Sequence, residues 1–352
     1  MNKNINIIGV GGSIHDFSSC LLQNEKLVYY MEDERIVRKK HAFYEGMVKE
    51  LLIHNASDEC LKIKGLNIDD IDLVVGNDIL SAFYFRRIQK EANQFISINH
   101  HLAHASSAFF PSAFNEAAIL TIDGGGNEFN KDKHCKMLEV CSLSFGSGNN
   151  IEVLSTKAGE RYKAEQFNNL IDPVTNSIGG FYGAATFACG FTFHEEGKTM
   201  GLAPYGTDKY LNELRQFVEL TDNGVFRFSF EGLQFLYDIR RKIDMIPDKD
   251  KQFALKADIA YAAQAITEKA LIHVAEYLKT ITYSANLCIA GGVALNSVAN
   301  YKLYKTGLFR DIFIQPAAGD NGTSIGSAFY GWHIFLKQPR IKQNNIGGHS
   351  YV

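Results

Sequence analysis

A two-lobed α/β fold, duplicated and closed around a ligand cleft, is what the sequence predicts. Three observations predict it: apolar runs of strand length end repeatedly in glycine turns, a three-strand meander opens the chain, and the strand-turn-helix pattern restarts near residue 117. Among the 352 residues, thirty are glycine and only six proline, and many of the glycines group at the ends of apolar runs. That grouping is expected where backbone must approach a ligand closely at several turns.

Residues 5–10 (Ile-Asn-Ile-Ile-Gly-Val) read as a buried strand, followed by the turn Gly11-Gly-Ser-Ile-His-Asp16. Runs from Phe17 to Leu22 and from Lys26 to Met31 complete the meander around a turn at Asn24-Glu25. Helical spacing covers 44–56, Ile71 to Val75 is a short strand, and Ser81 to Glu91 is a helix. Phe95 to Ile98 then reads as a strand and His101 to Phe110 as a helix. In the second half, Ala117 to Ile122 is a strand closing in Asp123-Gly-Gly-Gly126, with strand-like runs at 137–145 and 151–156. Gly180 to Phe191 is a small-residue helix, and apolar residues at three- and four-residue steps make 252–280 a long one. Leu287 to Ala290 closes in Gly291-Gly292, and Ile312 to Gln315 closes in Gly319-Asp320 before a helix from Thr323 to Leu336. The stretch 205–250, rich in charge and Phe, reads as an irregular insertion or connection.

This is the outline of the actin, Hsp70 and sugar-kinase fold, whose ligands lie between the lobes at the carboxyl ends of the strands. The expected first lobe spans 1–115 and the second 116–340, with the insertion near 205–250. A net charge of −3 provides no basic stripe, so nucleic acid is not an expected partner. Met1-Asn-Lys-Asn-Ile lacks the apolar core of a signal peptide, and no apolar run reaches membrane-span length. The six cysteines form no CxxC pair and no secreted disulfide framework, so a cytoplasmic enzyme is expected.

Three of eleven histidines crowd into Asn99-His-His-Leu-Ala-His104. On a helix, His100 and His104 share one face, a spacing that lets two imidazoles hold one metal ion. The alternative is a helix start whose histidines hydrogen-bond locally. Asp123 and Asp320 each follow an apolar strand and open a glycine turn, placed either to face the cleft or to cap their own backbone. Together the four make His2Asp2, a donor set suited to Fe(II), Zn(II) or Mn(II). Four glycine turns (9–12, 123–126, 290–292 and 319–322) converge on the same cleft, and freed backbone amides favour a nucleotide-like ligand. His15 beside Asp16 is a general-base candidate for a hydroxyl, or a residue that only orders its turn. Lys198 is fenced by glycines and apolar residues, which a merely solubilising lysine does not need, whereas Glu34 to His41 reads as a solvated charge run.

These residues resemble one family, the NodU/CmcH carbamoyltransferases, which O-carbamoylate antibiotics, nodulation factors and sugars. The matching stretches are His15-Asp-Phe-Ser18, Glu34-Arg-Ile-Val-Arg-Lys-Lys-His41, Asn99-His-His-Leu-Ala-His-Ala105 and Thr121-Ile-Asp-Gly-Gly-Gly126. Glu195-Glu-Gly-Lys-Thr-Met-Gly-Leu-Ala-Pro-Tyr-Gly206, Gly291-Gly-Val-Ala-Leu-Asn-Ser-Val-Ala-Asn300 and Pro316-Ala-Ala-Gly-Asp-Asn-Gly322 continue them in the family's order. The family shares its first domain with the synthase of threonylcarbamoyl-adenosine in tRNA. The resemblance implies an iron site at His100, His104, Asp123 and Asp320, gripping the phosphate of carbamoyl-adenylate, with His101 pointing elsewhere. It implies His15 as the group that deprotonates the acceptor hydroxyl and Lys40 as the lysine near the carbamoyl group. Gly124, Gly125, Lys198, Gly291, Gly292, Asn296 and Asn321 would line the nucleotide.

Family members continue into a YrdC-like domain that makes carbamoyl-adenylate from carbamoyl phosphate and ATP. Here 341–352 looks like the start of the linker to it, so this chain is expected to bind carbamoyl-adenylate without making it, the activating half acting as a separate domain or protein. The acceptor is a small molecule with a hydroxyl, and a homodimer is common in the family. The competing readings are a nucleotide-binding or partner-docking module without its own catalysis, and a sugar kinase of the same fold.

Overall fold

The protein is described from a computed structural model covering residues 4–42, 54–80, 89–131, 135–162, 174–192 and 194–340. Strands β1 (Asn6–Gly11), β2 (Ser18–Gln23) and β3 (Lys26–Glu32) form the expected meander. Asn24 and Glu25 both adopt left-handed φ, 48° and 67°, as a two-residue turn between right-twisted strands requires. β4 (Leu73–Asn77) and β5 (Phe95–Ile98) add in parallel on the other side, giving the order β3-β2-β1-β4-β5. β1 is central and buried along its whole length, which explains its uninterrupted apolar run. Helix α1 (His100–Phe109) follows β5 after a single residue.

The second sheet repeats the plan with an antiparallel extension. β6 (Glu116–Ile122) pairs with the long hairpin β8 (Cys135–Ser147) and β9 (Asn150–Tyr162), with β7 (Glu128–Lys131) on β8 and β10 (Val174–Thr175) on β9. On its other side lie the parallel strands β13 (Asn286–Ala290) and β14 (Asp311–Ile314). Helices α2 (Ile178–Ala188), α3 (Glu196–Leu202), α5 (Lys249–Thr282) and α6 (Ser297–Lys305) belong to this half. Alanines at 257, 260, 263 and 270 put a small-residue face of α5 into the core, where α2 can lie close. The last helix, α7 (Thr323–Tyr330), returns to the first sheet, packing on β1, β4 and α1, and ends in a π turn over Gly331–Phe335.

The stretch 205–250 is ordered rather than irregular. It folds as the hairpin β11 (Val218–Thr221) and β12 (Val225–Phe228) followed by helix α4 (Phe230–Met245). Phe226, Phe228, Leu233, Leu236, Ile239 and Ile243 enter the second-half core, so the Phe-rich composition is a packing face interleaved with surface charge. The helices expected over 44–56 and 81–91 fall largely on residues 43–53 and 81–88, and the segment 341–352 falls wholly, outside the described residues. Among the described residues no helix is long and apolar enough to cross a membrane.

Candidate metal centre

Local sequence positions the histidine helix. Asn99 caps α1, its side-chain oxygen accepting from Leu102 N at 2.9 Å, while its amide donates to Asn127 and Glu139 at 3.0 Å each. His100 N donates to Asp78 at 3.1 Å and Asn127 at 3.2 Å, so a second orphan amide of the helix start is satisfied. Every α1 residue except Leu102 is buried, including all three histidines.

The three rings part company at once. His101 Nδ1 lies 2.9 Å from Ser142 Oγ, and Ser142 Oγ donates to Glu139 at 2.6 Å. Burial, reinforced by charge on His100, holds His101 well below the ordinary imidazole range. His100 and His104 turn the other way, their ring centres 4.6 Å apart, towards Asp123 at the end of β6 and Asp320 in the turn before α7. His100 Nε2 is 3.4 Å from Asp123 Oδ2 and 3.5 Å from Asp320 Oδ1, and His104 Nε2 is 3.5 Å from Asp320 Oδ1. One ligand atom from each of the four lies within 4.8 Å of the others, and all four residues are buried.

This geometry fits a divalent ion better than a hydrogen-bonded cluster. Separations of 3.4–3.5 Å are long for hydrogen bonds. Ligands held at about 2.1 Å in a tetrahedral arrangement stand roughly 3.4 Å apart. Among the described residues neither ring nitrogen of His104 has a hydrogen-bond partner, and two buried carboxylates need a compensating charge. In the chain alone, His100 serves that purpose. Burial by itself would lower it, but Asp320 and Asp123 hold it up at about 10, and its charge in turn holds Asp320 well below the carboxylate range.

The glycine turns meet around this cluster. Gly291 has φ of 98°, and a Cβ there would fall 2.1 Å from Ile122 O. Gly292 N donates to Asp123 Oδ1 at 3.1 Å, so that amide orients the Asp123 carboxylate. Gly12 N and Asn77 Nδ2 each donate to Thr323 Oγ1 at 2.9 Å, and Thr323 donates to Asp320 O at 2.5 Å, tying the first turn to the last. Space beside Gly124 is open, whereas a Cβ on Gly125 would meet Leu138 at 2.8 Å. Asn296 caps α6 through Ala299 N at 3.0 Å and exchanges both amide bonds with Gln264, at 2.9 and 3.1 Å. The Asn321 amide donates to Glu32 at 2.5 Å.

His15 reaches the edge of the cluster, its Nε2 3.9 Å from Asp320 Oδ2. Lys40 is exposed in the turn Lys40–Ala42, and Lys198 pairs with Glu195 beside the Phe191 ring. Neither lysine forms an ion pair with Asp123 or Asp320. Two residues beside His15 escaped sequence reasoning. His194 packs edge-on to His15 at 4.0 Å between ring centres, and His41, read as the end of a solvated run, is 4.9 Å from His194. The available signal was position, since each histidine borders a charged motif otherwise read for its lysine.

Comparison with known proteins bears on the fold and the family. Solved structures share the fold over nearly the whole chain at low identity. Full-length HypF in its phosphate- and nucleotide-bound form has a TM-score of 0.56 at 12% identity, covering 94% of this chain and 56% of that one. Component A of the (R)-2-hydroxyglutaryl-CoA dehydratase of Acidaminococcus fermentans has a TM-score of 0.52 at 13% identity, covering 93% of this chain and 97% of its own. Nodulation protein NolNO of Sinorhizobium fredii is 29% identical across 90% of this chain and 46% of its own length. Nodulation protein NolO of Bradyrhizobium diazoefficiens is 34% identical across 66% and 37%. The chain thus spans about half the length, or less, of these curated relatives. The family model described as "Carbamoyltransferase N-terminus" matches residues 77–329, a span that includes all four residues of the buried cluster, and the chain belongs to that family.

Proposed function

We propose that the chain is the transfer half of an O-carbamoyltransferase, moving a carbamoyl group from carbamoyl-adenylate to a hydroxyl of a small-molecule acceptor such as a sugar, antibiotic or nodulation-factor-like compound. The observation that carries this reading is a histidine beside a candidate metal site: His15 Nε2 lies 3.9 Å from Asp320, one of four buried residues suited to a metal. His100, His104, Asp123 and Asp320 would hold a divalent ion, Fe(II) on the family resemblance, with Zn(II) and Mn(II) also suited to the donors. When bound it supplies positive charge to the donor phosphate and to charge developing in the transfer.

The residues of the chain supply the rest. Gly124 and Gly125 offer backbone beside Asp123, with open space at Gly124 for the phosphate. Gly291, Gly292, Asn296, Lys198 and Asn321 would line the adenosine, as the family resemblance implies. Lys40, from its exposed turn, would approach the carbamoyl group once donor and acceptor are in place. His15 accepts the hydroxyl proton at Nε2 as the acceptor oxygen bonds to the carbamoyl carbon. The bond from that carbon to the phosphate oxygen breaks, and AMP leaves. Holding donor and acceptor together contributes much of the acceleration. Carbamoyl phosphate and ATP enter through a YrdC-like activating domain or protein.

The test is to supply the purified chain with carbamoyl-adenylate, Fe(II), Zn(II) or Mn(II), and a panel of hydroxylated acceptors, and to look for carbamoylated product by mass spectrometry. Transfer that His15→Ala abolishes is expected. Nucleotide binding without product under any metal would instead make the chain a binding module, and phosphorylation by ATP alone would make it a kinase.

A further inference from the structure

Asp16 sits at the centre of three imidazoles. Its Oδ2 is 2.9 Å from His15 Nδ1 and its Oδ1 is 2.8 Å from His41 Nδ1. Asp16 N also donates to His41 O at 2.8 Å, so the two segments are joined through backbone as well. His194 packs against both partner rings. Non-glycine residues in left-handed conformation converge here: φ is 54° at Asp16, 64° at His41, 40° at Ala42 and 65° at His194. Such strain persists only where the surroundings hold it, and it gathers at working sites.

A carboxylate only accepts, so each imidazole bonded to it must carry its proton on Nδ1. Burial by itself would raise Asp16, yet the bonds from His15 and His41 hold it down at about 2, so it is ionised at neutral pH. Burial, reinforced by the two neighbouring imidazoles, keeps His194 at about 3, and it packs as a neutral ring. The geometry points to Asp16 as a positioning residue: one carboxylate shared by two histidines, fixing both as Nδ1–H tautomers so that His15 presents its Nε2 lone pair towards Asp320 and the acceptor site. The use of that lone pair rests on the transfer reading above. The tautomers themselves do not.

Long-range 1H–15N correlation of the histidine-labelled chain reads both tautomers without donor, acceptor or turnover, with assignments from His15→Gln and His41→Gln. In the wild type, His15 and His41 are both expected as Nδ1–H. In Asp16→Ala both should lose that pattern, while His101, bonded to Ser142, keeps its own signal and reports an intact fold. Asp16→Asn, isosteric and with a single acceptor oxygen, should free at least one of the two and serves if the alanine variant does not fold. A wild-type His15 protonated on Nε2, or unchanged tautomers in both variants, would overturn the proposal. So would a second metal equivalent that Asp16→Asn removes, because His15 would then be a ligand. Lost tautomers with transfer undiminished would leave the clamp standing and remove His15 from the proposed chemistry.

Discussion

Gly326→Ala probes how the histidine helix is held. Gly326 lies where α7 crosses α1, and a Cβ there would stand 1.7 Å from Ala103 O and 2.8 Å from Ser107 N. Ordinary van der Waals contact begins at 3.4 Å, so the two backbones would have to separate by about 1.7 Å, the difference from that 1.7 Å contact. Overpacking a filled interior costs about 1–3 kcal/mol. A backbone-to-backbone clash leaves no side chain to swing aside, which argues for the upper end. Alanine returns about 1 kcal/mol through helix propensity, for a net loss of about 2 kcal/mol. Because α1 carries His100 and His104, the same shift should weaken divalent-metal binding by roughly 10- to 100-fold, as for other disturbances of ligand support. Urea unfolding should show a lower midpoint at unchanged slope, with metal titration run on the same sample. A variant within about 0.5 kcal/mol of wild type, with equal metal affinity, would refute this packing account.

Further outcomes are expected elsewhere. The Asp16 carboxyl is held at about 2 against an ordinary 3.8, so its stabilisation is present above pH 3.8 and is lost as pH falls through that value towards 2. The shift corresponds to about 2 kcal/mol, and the stability gap between wild type and Asp16→Asn in acid titrations should close over that window. Arg340 donates to the carbonyls of Phe109, Phe110 and Ser112 at 2.7–3.0 Å, closing the C-terminal end of α1. Arg340→Ala should cost about 1–3 kcal/mol in thermal or urea unfolding, because these carbonyls lose a charged donor. Asn296→Ala removes both the α6 cap and one of the partners of buried Gln264, and about 2 kcal/mol of lost stability is expected by the same methods.

Much of the framework could be read from local pattern. The meander, the parallel strands and the long alanine-faced helix have periodicities that tertiary context did not override. Asp123 and Asp320 could be singled out as carboxylates that open glycine turns after apolar strands, but that pattern alone equally allowed each to cap its own backbone. The folding of 205–250 was not legible, because its Phe and Leu positions show their helical face only once a second-half core exists to receive it. The Asp16 arrangement was hidden for a different reason. It joins residues 16, 41 and 194 across segments with no shared periodicity, and left-handed conformations at Asp, His and Ala leave no glycine to mark them. Gly292 was read as lining the nucleotide, and its amide donates to Asp123, a contact only three-dimensional placement reveals.

The central claim is that His100, His104, Asp123 and Asp320 hold one divalent ion. Elemental analysis of chain loaded with Fe(II), Zn(II) or Mn(II) and freed of excess metal tests it most directly. Wild type should retain about one equivalent per chain, whereas His104→Ala, with helix content unchanged by circular dichroism, should retain little, having lost one of four protein ligands. A full equivalent in the variant would contradict the assignment.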